Sequence, residues 1–147
     1  MSSLIALTTL VDVVDASQLA IQIPADTFRL ALFTDALAAP DPESFTAYGV
    51  APFNAAESAA GGGYSTGGVV LGSPTWAVQA GTQRVRYDTN DLVIAGVTLL
   101  VRWMLHYDDT VAGNRAWYLC DLGAEYSLAG EDANITVDAN GWFRIRA

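Results

Sequence analysis

The sequence predicts a mainly β protein: an antiparallel β-sandwich or barrel-like domain with a short N-terminal helix or arm. Three observations predict this class. Short runs rich in β-branched and aromatic residues recur along the chain, each bounded by Gly, Pro, Asn or Asp. The clearest run, residues 27–34, alternates so that Phe28, Leu30 and Leu32 share one face. The strand–helix repeats that build a parallel sheet are missing. A chain of 147 residues is long enough to bury one core without disulfides or metals. The expected organisation is therefore a helix or arm over residues 1–17 and a single β domain over residues 18–147.

Taken in order, residues 4–14 place Leu4, Leu7, Val11 and Val14 at helical spacing, with Ser2 or Ser3 as cap and Asp15 and Ser17 at the exit. The β-branched Thr8, Thr9, Val13 and Val14 oppose a helix and leave a strand or an ordered arm open. Residues 19–23 alternate until Pro24 breaks the run, and residues 27–34 follow as a strong strand. Over residues 36–63, Pro40, Pro42 and Pro52 forbid a long helix, with room for a short one at 54–60 ended by Gly61. The glycine-rich stretch 61–68 predicts a flexible surface connector carrying contacts. Strands are then predicted from Val69 and at 75–78, 83–87, 97–107 and 116–122, with turns at 80–81, 88–91 and 108–114. Gly123 predicts the start of a connection reaching residues 135–137. Asn140-Gly141 predicts a tight hairpin turn into a last strand at 142–145.

Composition narrows the function. The chain is 52% hydrophobic and only 16% charged, against about 25% charged in an ordinary soluble domain. An exterior so short of charge predicts apolar patches, and such patches mark interfaces. The net charge is −9, and every cation is an arginine. That balance argues against a phosphate-binding surface and against docking on anionic membranes. Cys120 is alone, so no intrachain disulfide is expected. The first residues lack a basic signal-peptide region, and no apolar run approaches the roughly 20 residues that span a bilayer. Synthesis in a cytoplasm is the expectation.

Several chemical motifs in the sequence have plainer structural explanations. Gly63-Tyr64-Ser65-Thr66-Gly67 matches the nucleophile-elbow pattern, with Asp88, Asp91 and His106 following in hydrolase order. An elbow needs a strand before the serine and a helix after it. Here glycines precede it and the strand-like Val69-Val70-Leu71 follows, so a chance match is the better account. His106 is the only histidine and has no Cys or His cluster beside it, so a packed role is expected rather than a metal ligand. Cys120, among bulky neighbours, is expected in the core. The pairs Asp88/Asp91 and Asp108/Asp109 fit turn capping better than a calcium loop. Asn134-Ile135-Thr136 is a glycosylation sequon in letter only. Trp76, Trp103, Trp117 and Trp142 fall in or beside predicted strands, where core packing is their usual role. No catalytic residue, cofactor or metal is expected, and the chain reads as a structural protein, not an enzyme.

From about Leu19 onward a set of landmarks follows in order: the strand 28–34, then Glu57 with the stretch 63–71, then residues 87–91. The strand end Leu105-His106-Tyr107-Asp108-Asp109-Thr110, the segment 119–123 and residues 135–143 complete the set. In their order and spacing the chain resembles a family of small β-rich structural proteins found among the virion genes of tailed bacteriophages. The resemblance implies a virion protein that coats or joins shell components, without a defined activity. Acidity then favours the outer face of the capsid, away from packaged DNA. The expected role is capsid decoration, or cement: contacts to the major capsid protein, homo-oligomers with a trimer favoured, and no nucleic acid or membrane. Candidate partner contacts are Leu4, Leu7 and Val11 in the N-terminal segment, Tyr48 and Phe53 in the loop 38–53, and Tyr64 in the glycine run. The alternative is a tail, baseplate or host-adhesion module, which exposed aromatic rings at Trp76 or Trp142 would favour.

Overall fold

The alternating run that begins the domain becomes an interior strand with both faces covered. The computed structural model describes residues 2–5 and 21–146. Its strands are β1 (Ser2–Ile5), β2 (Phe28–Phe33), β3 (Val69–Val70), β4 (Thr75–Gln79), β5 (Arg84–Asp88), β6 (Leu92–Asp108), β7 (Arg115–Ile135) and β8 (Phe143–Arg146). They form two antiparallel sheets, ordered β1-β7-β6-β2-β3 and β4-β5-β8. The mainly β sandwich predicted from the sequence is the architecture observed.

Side chains of β2 separate by parity into two cores. Phe28, Leu30 and Leu32 face the small sheet and pack in a cluster with Tyr87, Trp117 and Tyr118, against which Trp76 and Phe143 lean. Ala31 and Phe33 face the other way, joining Trp103, Leu105, Tyr107 and Leu119. That second face has no sheet over it among the described residues. The irregular segment 34–57 covers it instead, sinking Leu37, Phe45 and Phe53 into the cluster. Burying each phenylalanine contributes roughly 2–3 kcal/mol. The molecule therefore has three layers: small sheet, large sheet and an aromatic-studded loop.

Several expectations need correction. Of the helix, strand or arm left open for the N-terminal segment, Ser2–Ile5 takes the strand, paired with residues 118–121 of β7; residues 6–20 lie outside the described residues. Residues 54–60 form turns and a bridge rather than a short helix. The connection expected after Gly123 is the second half of β7, paired with β6 as far as Leu92↔Ile135. Asn140-Gly141 does turn the chain, but β8 then pairs with β5 and not with residues 135–137.

Asp108, at the end of β6, has no exposed surface. Its Oδ1 accepts the N–H groups of Thr110 at 2.8 Å and Val111 at 3.1 Å, closing the turn that the sequence predicted. Burial pushes its carboxyl up to about 6 in spite of those donors, and the neighbouring Asp26 pushes the same way. A carboxyl raised in the folded state stabilises the fold while protonated. Its contribution is full below the unfolded value near 4 and is lost as pH rises through 6. Asp108→Asn keeps an acceptor for both N–H groups without the buried charge. Thermal melts are expected to show this variant more stable than wild type at pH 7.5, by roughly 2 kcal/mol, with the gap closing at pH 4. A gap that does not change with pH would contradict the assignment.

Candidate assembly surface

Residues 46–68 include the landmark Glu57 and most of the stretch 63–71, and one carboxylate ties this segment together. Glu57 bridges its backbone to Phe33. Its Oε2 accepts the Tyr48 hydroxyl at 2.7 Å, and its Oε1 accepts the Tyr64 hydroxyl at 2.9 Å and the Gly67 N–H at 2.8 Å. Tyr64 in turn accepts the Leu32 N–H at 2.8 Å, and the Tyr107 hydroxyl donates to Gly67 O at 2.6 Å. Tyr48 stacks on Tyr107 with ring centroids 4.7 Å apart. Burial first, and Glu57 after it, push the Tyr48 and Tyr64 hydroxyls above the ordinary phenol range, so both remain donors.

This hub relocates three of the sequence-predicted contact residues. Tyr64 is buried and Tyr48 half-buried, both holding the loop to the sheet. Phe53 is buried between Phe33 and Phe45, at 5.4 and 5.3 Å. Their side chains are occupied inside the protomer, so the loop 38–53 is a core cover rather than a free contact arm. The glycine run is likewise no loose connector. A Cβ at Gly62 would overlap the Gly96 carbonyl, and one at Gly68 would overlap that of Leu30, so glycine lets the loop lie flush on β6 and β2. Leu4 is half-buried on β1 opposite Leu119, against the second cluster. Leu7 and Val11 lie outside the described residues.

The elbow motif is not assembled. Ser65 is exposed on its loop, whereas His106 is fully buried among rings. Its nearest ring is Trp142, with centroids 4.3 Å apart. Its Nδ1 sits 3.3 Å from the Tyr87 hydroxyl, and its Nε2 has no hydrogen-bond partner. Cys120 is buried, as expected. Asp109 pairs with Arg29 at 2.7 Å, and Asp88 pairs with Arg86 at 3.3 Å while capping Thr89. The described residues contain no group of three or more side chains suited to a metal.

Among the described residues, the part of the large sheet left partly uncovered is the far half of the β6–β7 ribbon. Near Trp103 and Leu119 the ribbon is buried on both faces. Beyond Val101 and Leu122 it runs on as an arm, kinked by bulges between Ile94 and Val97 and between Val101 and Trp103. One edge of the arm is sealed by residues 58–63: Ser58 Oγ donates to Leu100 O at 2.6 Å, and Gly63 N–H to Ala95 O at 2.7 Å. The other edge, β7 from Leu122 to Ile135, has no strand beside it among the described residues; the pairing with β1 covers only residues 118–121. Val93, Leu100 and Tyr126 on this arm are 59%, 44% and 54% exposed. Its inner face lines an apolar groove of about 540 Å³, walled by Val101, Met104, Leu122, Tyr126, Leu128 and Trp142.

Compared with protein families, curated proteins and solved structures, the chain matches none of them. The arm was not foreseen from the sequence. A usable signal was present: an apolar run from Leu92 to Tyr107 is far longer than an ordinary strand and needs an equally long partner.

Two outcomes check this description. Glu57→Ala leaves two hydroxyls and one N–H without their acceptor and is expected to cost about 2–4 kcal/mol in urea unfolding, with Glu57→Gln costing less. Equal losses for the two would contradict the hub. Burial pushes His106 down to about 3, so its stabilising contribution is present above the unfolded value of 6.5 and lost as pH falls below it. Relative to wild type, His106→Phe is expected to gain stability between pH 6.5 and 4.5. A flat difference would place the imidazole in contact with water.

Proposed function

We propose that this chain is a virion structural protein, a decoration (cement) protein on the outer face of a tailed-phage head. The observation that carries the reading is the bare arm: a strand edge, exposed apolar side chains and an apolar groove, all held by a well-packed body. Open edges and apolar patches are liabilities for a free protein and are normally blunted or covered. A component that spends its life in contact with neighbours has them covered on assembly. The sequence landmarks of the phage family support the same reading, because they coincide with the parts that build the body: β2, Glu57 with its glycine loop, and the turn at Asp108.

In this role the protein adds binding free energy across seams between major capsid subunits, and the gain must be larger on the expanded lattice than on its precursor. About 800 Å² per partner suffices for stable attachment. A homo-oligomer, with a trimer favoured, suits a site on a local symmetry axis. The adhesion alternative gains nothing from the tryptophans. Trp76 and Trp142 are half-buried against the first core, and the Trp142 indole donates to Thr89 Oγ1 at 2.9 Å.

Purified protein is expected to co-sediment with expanded heads that lack it and to raise their disruption temperature. Tyr126→Asp is expected to weaken that binding at least tenfold, about 1.4 kcal/mol or more, with little change in the protein's own melt because Tyr126 is 54% exposed. Co-sedimentation with tails and not with heads would overturn the proposal.

A further inference from the structure

Four of the seven arginines lie on one small surface. On β5 and β8 the parity that turns Tyr87 and Phe143 toward the core turns Arg84, Arg86, Arg144 and Arg146 outward. The register sets Arg84 opposite Arg146 and Arg86 opposite Arg144. Like charges directly opposite each other destabilise an antiparallel pair. Two of these side chains are engaged: Arg86 donates to Ala139 O at 2.7 Å and pairs with Asp88, and Arg144 donates to Asn140 Oδ1 at 2.8 Å. The guanidinium groups of Arg84 and Arg146 have no ion pair or hydrogen bond among the described residues. A protein of net charge −9 thus concentrates its scarce cations where they repel one another. An external anionic group would relieve that repulsion.

The complementary surface is on the same chain. Between Leu122 and Ile135, β7 carries Glu125, Glu131 and Asp132 and no cation, and β6 from Leu92 to Val101 carries no charge. Glu131 and Asp132 are exposed. Each surface reaches a sheet edge among the described residues: β8 is the edge strand beside the central β5 in the small sheet, and the far half of β7 is an edge of the large one. We propose that the arginine face of β5 and β8 receives the acidic far half of β7 from a second copy of this chain, joining protomers head to tail. The contact is heterologous, so it closes into a ring where the rotation allows and otherwise continues as an open chain. Guanidinium forks suit carboxylates in a bidentate geometry, which fixes the register of the contact. The proposal deepens the assembly reading above and rests on it for the setting in which protomers meet.

Sedimentation velocity tests it with a charge swap. Wild type is expected to self-associate at low salt and to lose at least tenfold in affinity at high salt, where the Debye length falls to a few ångströms. Arg84→Glu with Arg146→Glu, and separately Glu131→Arg with Asp132→Arg, are each expected to be monomeric alone. Mixed together they are expected to associate again, because each then offers the surface that the other needs. A wild type that stays monomeric at every salt concentration, or variants that associate as wild type does, would overturn the proposal. So would a mixture that fails to associate. So would retention of a monomeric wild type on immobilised polyphosphate through the arginine face, since that assigns the face to a polyanion. Head binding is measured in parallel. If wild type binds heads but never self-associates, this inference falls and the decoration reading stands; if it self-associates and the swap holds but no heads are bound, the decoration reading falls alone.

Discussion

The pairing of β6 with β7 is the constraint from which the rest of the molecule follows. The ribbon runs from Leu92↔Ile135 to Asp108↔Arg115, longer than any other pair in the fold. Near Trp103 and Leu119 it is the centre of the large sheet, with β2 on one side, β1 on the other and a core on each face. Beyond that point, among the described residues, one face of β6 stays covered while Val93, Leu100 and Tyr126 stand exposed. A two-stranded ribbon alone is marginally stable in water. The arm persists because Ser58, Gly63 and the glycine loop seal one of its edges, and because Ile94, Val97 and Leu99 still pack inward.

That seal depends on the Glu57 hub, which links the irregular half of the chain to the regular half. A carboxylate accepting two phenols and an N–H forms charge-assisted bonds, stronger than neutral ones. It sets the height of the loop over β2 and β6, and glycines at the closest approaches permit it. Order in residues 46–68 therefore comes from polar convergence at one side chain and from aromatic burial of Phe45 and Phe53, without helix or ladder. Among the described residues β7 is left with an open edge, and in the reading proposed above the exposed apolar side chains of the arm make that edge a surface for neighbours. On this account the decoration reading and the head-to-tail contact use different parts of the arm: the apolar groove on its inner face and the carboxylates of its far half.

The sequence was legible where local pattern and tertiary environment agree. Phe28, Leu30 and Leu32 alternate because one core lies on one face of β2, and the turns at 80–81 and 108–114 carry the Gly, Asn and Asp that their backbone needs. It misled where long-range contacts decide. Residues 123–135 are rich in Gly, Ala, Glu and Asp and have weak strand preference; they are a strand because β6 offers a partner. Stretch 61–68 has the composition of a flexible connector, yet its glycines are there for close approach. Tyr48, Phe53 and Tyr64, in a proline- and glycine-rich segment, look like surface anchors, and only the three-layer arrangement gives them an interior to occupy. The arginine ladder was invisible for a similar reason: β5 and β8 are far apart in sequence, and their register appears only in the sheet.

The central claim is that the far half of β7 is an edge left open for a neighbour. Amide hydrogen exchange, resolved along residues 122–135 and compared between the isolated protein and the assembled particle, tests it most directly. The account predicts that amides facing away from β6 exchange rapidly in the isolated protein and become protected on assembly, while those of β2 remain protected in both. Strong protection of the whole segment in the isolated protein, or no change on assembly, would contradict it.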